Sequence, residues 1–262
     1  MDDKHYISSI KDFFNIIETI GNNSGPTLYH AHENNNSILV PKLGCVRARN
    51  IYDLEQETLS AIRVYGLHYQ DKREVNDWLL MCMARLQGFP TRLLEWTENA
   101  SKALWSVCHS DNVQSMTVLK ANDSQHVRFV DCPYSLKSTK IFNAASCDTY
   151  ERDREKWYSI HPLKRSATEY YESLYAEKEY ENRLTLIHIL PSVKKKLIEE
   201  LIAMGISYQP EKESTDVHTH LDDAEIMRNK NKGDISSEHD NKNEQRVLEQ
   251  YGRVYHQDFD FD

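Results

Sequence analysis

GFPTRLLEWTEN, residues 88–99, decides how the middle of the chain is built. Upstream of it, Val75, Trp78, Leu79, Cys82 and Leu86 fall at helical spacing within residues 73–87. Gly88 suits the end of that helix, and Pro90 has no amide hydrogen with which to continue it. Downstream, NASKALWSVCH (99–109) reads as a second, buried helix, with Thr97 or Asn99 placed to accept from its orphan amides as N-cap. The run is therefore a rigid corner between two helices, anchored in the core by Leu93, Leu94 and Trp96. Two readings of its charges follow. In one, Arg92 and Glu95 sit a helical turn apart and form a local pair. In the other, the corner exists to aim Arg92 into a cleft, where a rigid guanidinium suits a diphosphate or carboxylate.

Working outward, Ile7, Ile10, Phe13, Phe14, Ile17 and Ile20 predict a helix over 6–20, ended by Gly21. TLYHAH (27–32) reads as a short strand, ILVPKLG (38–44) as a second apolar piece, and 52–67 as a helix ending at Gly66. SMTVLK (115–120) and HVRFVD (126–131) are strand-like, while 132–170 has scattered aromatics and no clean period. RLTLIHIL (183–190) is the clearest strand. The helix after it begins at Pro191, lines Val193, Leu197, Leu201 and Met204 along one face and closes at Gly205. The expected fold is α+β: a single domain over 1–210 with N-terminal helices, a small mixed β-sheet and a C-terminal helix. Residues 211–262 are expected to form an acidic, largely flexible tail.

Charge supports that division. Of the 262 residues, with net charge −9, the last 52 hold 14 acids and 7 bases, so the body is close to neutral. No large basic face is expected, and non-specific nucleic-acid binding through counterion release is not indicated. The tail could steer a protein partner by charge. Five cysteines, none at Cys-x-x-Cys spacing, argue against a disulfide framework and for a reducing compartment. MDDKHYISSI lacks the layout of a signal peptide, and apolar runs of four or five residues are too short for a membrane span. The expected location is cytoplasmic, with no membrane association.

Other chemistry-bearing residues are few. His30 and His32 alternate on a strand and would share a face, as a zinc site would require. No further Cys/His pair stands at ligand spacing, and His218 and His220 fall in the tail, so no metal is expected. Glu177, Glu179 and Glu181 would share one face if extended. A solvated strand edge explains them, and a functional carboxylate such as Glu181 is the alternative. The eight scattered glycines form no phosphate-cradling loop, and there is no Gly-x-Ser-x-Gly elbow.

LYHAHENNNSILVPKLG (28–44) and WLLMCMARLQGFPTRLLEWTENASKALWSV (78–107) resemble the FRG domain family. Gly88, Pro90, Thr91, Arg92, Leu93, Leu94, Trp96, Thr97 and Asn99 match its second motif, and RLTLIHILPSVKKKLIEELIAMGI (183–206) resembles its closing strand and helix. The family's aromatic-Arg-Gly motif reads Tyr29-His30-Ala31 here, its Gln-His pair falls within Arg85-Leu86-Gln87, and its aspartate is Glu95. EKWYSIHP (155–162) stands where a later Gln-Gly-x-Phe-like element is expected. By fold-level analogy, the strand bearing Tyr29-His30 and the Thr-rich turn into an Ala-rich helix are similar to ADP-ribosyltransferases. That resemblance implies NAD as substrate, with His30 on its ribose or amide, Arg92 on its diphosphate, and Glu95 or Glu181 beside the reacting ribose. Tyr29, Thr91, Thr97 and Asn99 would lie against the cofactor. The acceptor would be a protein or a nucleic acid, in a bacterial or phage toxin or defence system. The alternative implied by the altered polar positions is a non-catalytic module that senses a nucleotide or contacts a protein.

Overall fold

Why the chain turns where it does is visible at the helix starts. Ser9 Oγ accepts from the Asp12 amide at 3.1 Å, so helix α1 (Ile10–Ile20) begins there, and the residues before it are free to form strand β1 (Lys4–Ile7). The computed structural model describes residues 4–21, 25–32, 38–46, 51–69, 76–129, 132–146, 154–164 and 171–208. Next come β2 (Thr27–Ala31), α2 (Lys42–Cys45), α3 (Ile51–Tyr69), α4 (Asp77–Leu86), β3 (Leu93–Thr97), α5 (Ala100–His109) and β4 (Ser115–Lys120). The chain continues through β5 (Lys140–Asn143), β6 (Lys156–Ile160), β7 (Leu184–Ile189) and α6 (Pro191–Ala203). The fold is α+β, as expected. The expected tail at 211–262 lies outside the described residues.

One mixed seven-stranded sheet runs in the order β1-β7-β4-β2-β3-β6-β5. β1 and β7 pair in parallel, and every other pairing is antiparallel. The sheet is larger than the sequence suggested. Residues 4–7 join it instead of extending α1, and β5 and β6 arise in the stretch without a period. The rigid corner itself contains a strand, β3. HVRFVD contributes only an isolated bridge, His126 to Ile141, among its described residues. α3 passes through Gly66 and ends at Tyr69.

Register decides what each face carries. On one face, Tyr29, Met116, Val118 and Ile187 pack with Phe13 of α1, Leu104 and Val107 of α5, and Leu197 and Leu201 of α6. Further along, Leu93, Phe142, Tyr158 and Ile160 pack with Leu59 of α3 and with Trp78, Leu80 and Met81 of α4. The opposite face is shared. Leu28, Leu94, Trp96, Leu119, Ile141 and Trp157 are covered by Leu174 and Tyr180, from the segment that leads into β7. The rest of that face carries His30, Ser115, Thr117 and His188, with Leu186 and Tyr6 beside them.

Candidate functional site

A strand in place of a turn changes what Arg92 can reach. Arg92 and Glu95 do not pair: Arg92, just before β3, turns to Glu55 of α3, while Glu95 within β3 approaches Arg85 of α4. Arg92 is fully buried (0% exposed). Its Nε donates to Glu55 of α3, at 2.8 Å to Oε1 and 2.9 Å to Oε2. Its Nη1 donates to the carbonyls of His161 (3.0 Å) and Pro133 (3.3 Å), and Nη2 lies 3.6 Å from Met81 Sδ. The guanidinium also lies 5.5 Å from the Tyr134 ring centroid. The His161 amide donates to the Arg92 carbonyl at 3.2 Å, which extends the β3–β6 ladder by one step. All three guanidinium nitrogens therefore contact groups of the fold. Burial pushes the Glu55 carboxyl above its ordinary range, against the opposing pull of Arg92.

The neighbouring residues of the run are also tied to the scaffold. Thr91 is buried, its Oγ1 accepts from the Leu93 amide at 3.3 Å, and its carbonyl accepts from Leu43 at 3.2 Å. Glu95 approaches Arg85 of α4 at 3.9 Å. Thr97 Oγ1 accepts from the Asn99 amide at 3.1 Å. Asn99 is the N-cap of α5 and accepts from Lys102 at 2.9 Å. Its Nδ2 donates to Glu155, and its Oδ1 accepts from Tyr208 at 3.1 Å. Tyr29 faces the α5 side, and burial pushes its hydroxyl up to about 12. Glu181 is exposed, in the turn before β7.

His30 lies elsewhere. It is 8% exposed, and its Nδ1 is 2.7 Å from the Glu95 carbonyl, which fixes the ring. Tyr29 is paired with Thr97, so Glu95 shares the Tyr29 face and His30 projects from the other. Arg92 lies three residues from Glu95, roughly 10 Å along extended chain. His30, Arg92, Glu95 and Glu181 thus occupy four different settings.

Around His30 the sheet assembles a polar group from distant parts of the sequence. The His30 and His32 rings stand edge to face at 5.1 Å. His32 Nε2 is 2.7 Å from Thr117 Oγ1 on β4, and Thr117 Oγ1 is 2.5 Å from the Tyr175 hydroxyl. His188 on β7 lies opposite Ser115 and stacks with Tyr6 of β1 at 5.1 Å. Burial, then the charges of His30 and His188, push His32 down to about 3, so it is neutral at pH 7.

Alternation within TLYHAH was enough to place His30 and His32 together. Thr117 and Tyr175 carry no local signal, because only the strand order brings them there. The alternation of RLTLIHIL was a usable signal for His188. Glu55 also had a signal: it shares a helical stripe with the buried Leu59 and Ile62, a place where a carboxylate needs a partner. Among the described residues, no group of three or more His, Cys, Asp or Glu side chains is arranged to hold a metal ion. No helix among them is long and apolar enough to cross a membrane.

The FRG domain model matches residues 25–115, from just before β2 to the first residue of β4. No curated protein sequence and no solved structure matches the chain.

Proposed function

The chain carries an FRG domain over residues 25–115, and on that premise we propose that it is a binding module that senses a nucleotide on the His30 face of its sheet. The observation that carries this reading is the confinement of Arg92. A guanidinium that is fully buried and bonded to Glu55 and two carbonyls does not reach a diphosphate without breaking a buried ion pair. The motif arginine then serves as an internal strut, and recognition falls to the polar face of β2 and β4. The neutral His32 and the hydroxyls there suit the sugar and amide groups of a nucleotide better than its phosphates.

A second reading, an NAD-consuming transferase, is favoured by one feature. His30 is held in a single orientation on a central strand, next to His32, Thr117 and Tyr175. That chemistry builds positive charge on the ribose and needs a carboxylate beside it. Glu95 points to the other face and Glu181 is in an exposed turn, which is why binding without turnover is preferred. The acidic tail remains a candidate contact for a protein partner, and a role in toxin or defence systems accompanies either reading.

Calorimetric titration with NAD and with ADP-ribose, followed by chromatography for free nicotinamide, separates the two. The expected result is binding that His30→Ala weakens at least tenfold, with no nicotinamide released. Nicotinamide release by the wild type that disappears in His30→Ala would establish the transferase. Absence of binding to either compound would remove the nucleotide reading altogether.

A further inference from the structure

We propose that the turn at Lys178–Tyr180, part of the segment covering the sheet, is an acid-released latch: Glu177 fastens it to Thr139, and His161 is buried behind the joint. The proposal is independent of the nucleotide reading. Thr139 immediately precedes β5 and is fully buried. Its amide donates to Glu177 Oε2 at 3.3 Å and its hydroxyl to Glu177 Oε1 at 2.5 Å, while its carbonyl accepts from the Tyr180 hydroxyl at 3.0 Å. All three polar groups of Thr139 are thus bonded to Glu177 and the turn it opens. Tyr180 belongs to the apolar cluster of Leu28, Trp96 and Trp157, so releasing the joint uncovers apolar surface.

His161, one residue past β6, makes the joint respond to acid. Its side chain is 1% exposed, behind that of Glu177 at 20%. Its Nδ1 lies 3.4 Å from Thr139 Oγ1 and 3.7 Å from Glu177 Oε1, and its Nε2 is buried with no hydrogen-bond partner among the described residues. In the imidazolium both nitrogens carry protons, and the one on Nε2 would have no acceptor. The new charge would also face two like charges, Lys164 and Arg92, whose Nη1 donates to the His161 carbonyl. Glu177 is the facing carboxylate. Tyr171 presents its ring edge to face at 6.2 Å, Glu55 is engaged by Arg92, and Glu179 reaches Lys140 at 3.5 Å. Burial, then Arg92 and Lys164, hold His161 down at about 3. The closed latch therefore refuses a proton that the open one accepts, and acid favours opening. Glu177 has the opposite sign: burial raises its carboxyl, so the closed form favours the protonated acid and offsets part of the His161 response.

The experiment is hydrogen exchange of the full chain at pH 5 and pH 7, corrected for intrinsic rates, in wild type, His161→Gln and Glu177→Gln. The reporters are the Tyr180 and Arg183 amides, which donate to the Glu177 and Tyr180 carbonyls at 2.9 and 3.1 Å. Amides of β7 report unfolding of the whole domain. With an ordinary 6.5 in the open form and about 3 in the closed one, His161 alone opens the turn about twentyfold more at pH 5 than at pH 7. Wild type is expected to show part of that rise and His161→Gln to lose it. Glu177→Gln, which keeps an acceptor for Thr139 and does not titrate, is expected to rise more steeply than wild type. His32, linked through Thr117 to the neighbouring Tyr175, titrates in the same sense as His161, so the deciding quantity is the difference between wild type and His161→Gln. An acid response in His161→Gln equal to that of wild type overturns the proposal. So do Tyr180 and Arg183 amides with the same protection and urea dependence as those of β7, because the turn then opens only with the whole fold. Should His161→Gln not fold, a Glu177→Gln response no steeper than wild type overturns the proposal by itself.

Discussion

Cutting the pair between Glu55 and Arg92 tests whether the motif arginine is a strut. Both side chains are essentially inaccessible, at 1% and 0%. Glu55→Met would leave the guanidinium with two carbonyls and a thioether sulfur and no counter-charge. Stranding one member of a buried ion pair costs about 3–5 kcal/mol, against a total stability of roughly 5–15 kcal/mol for a domain. At this chain length the loss corresponds to a fall in Tm of roughly 6–20 °C. Arg92→Met should cost a similar amount, since it leaves Glu55 buried and takes the donors from the His161 and Pro133 carbonyls. The combined Glu55→Met/Arg92→Met variant removes both charges, and well-packed apolar replacement of a buried pair is often neutral or stabilising. It should therefore be more stable than either single variant, with a coupling energy of about 2 kcal/mol or more. Urea unfolding followed by tryptophan fluorescence measures all four corners of the cycle. Single variants that each lose less than about 1 kcal/mol, with additive effects, would show that Arg92 is not internally committed. The case against a ligand-gripping arginine would then collapse.

Acid should weaken the fold through His32 and His161. Both are held near 3, chiefly by burial, below the ordinary 6.5, so between those values the unfolded chain binds protons that the folded chain refuses. Their contribution is fully present above pH 6.5 and declines as the pH falls, by about 2 kcal/mol each between pH 7 and 5. Glu55 and Glu177, both raised by burial, act in the opposite sense: their contribution is present at low pH and is lost as pH rises through their raised values. Urea midpoints at pH 5, 6 and 7 should therefore fall with acidification, less steeply in His161→Gln, and a flat profile would contradict the assignment. Gly25→Ala should destabilise the start of the matched region, because its Cβ would lie 2.4 Å from the Ala121 carbonyl oxygen. A thermal melt unchanged from wild type would show that the β2–β4 junction is looser than described.

What the sequence revealed and what it hid divide by the kind of burial involved. α1, α4, α5 and α6 have one apolar face, so their 3.6-residue period survives in the sequence, and Asn99 was legible as a cap because capping is local. β6 is buried at all five positions, and β3 buries Leu93 and Leu94 in succession. Two-sided burial erases the alternation by which a strand is recognised, and β3 was therefore read as a turn. The difference between turn and strand reaches the chemistry. As part of a turn, Arg92 has Glu95 as a neighbour and a cleft ahead of it; beside a strand, it is directed to Glu55, thirty-seven residues away. The Tyr175–Thr117–His32 line was hidden for a related reason. Each member is unremarkable locally, and only the placement of β4 next to β2, with the segment before β7 folded over both, makes them neighbours. The run from Gly88 to Asn99 thus supplies the resemblance and much of the rigidity. Its arginine is bonded inside the fold, to Glu55 and to the His161 carbonyl, which is why variants at Arg92 should be read first as stability variants.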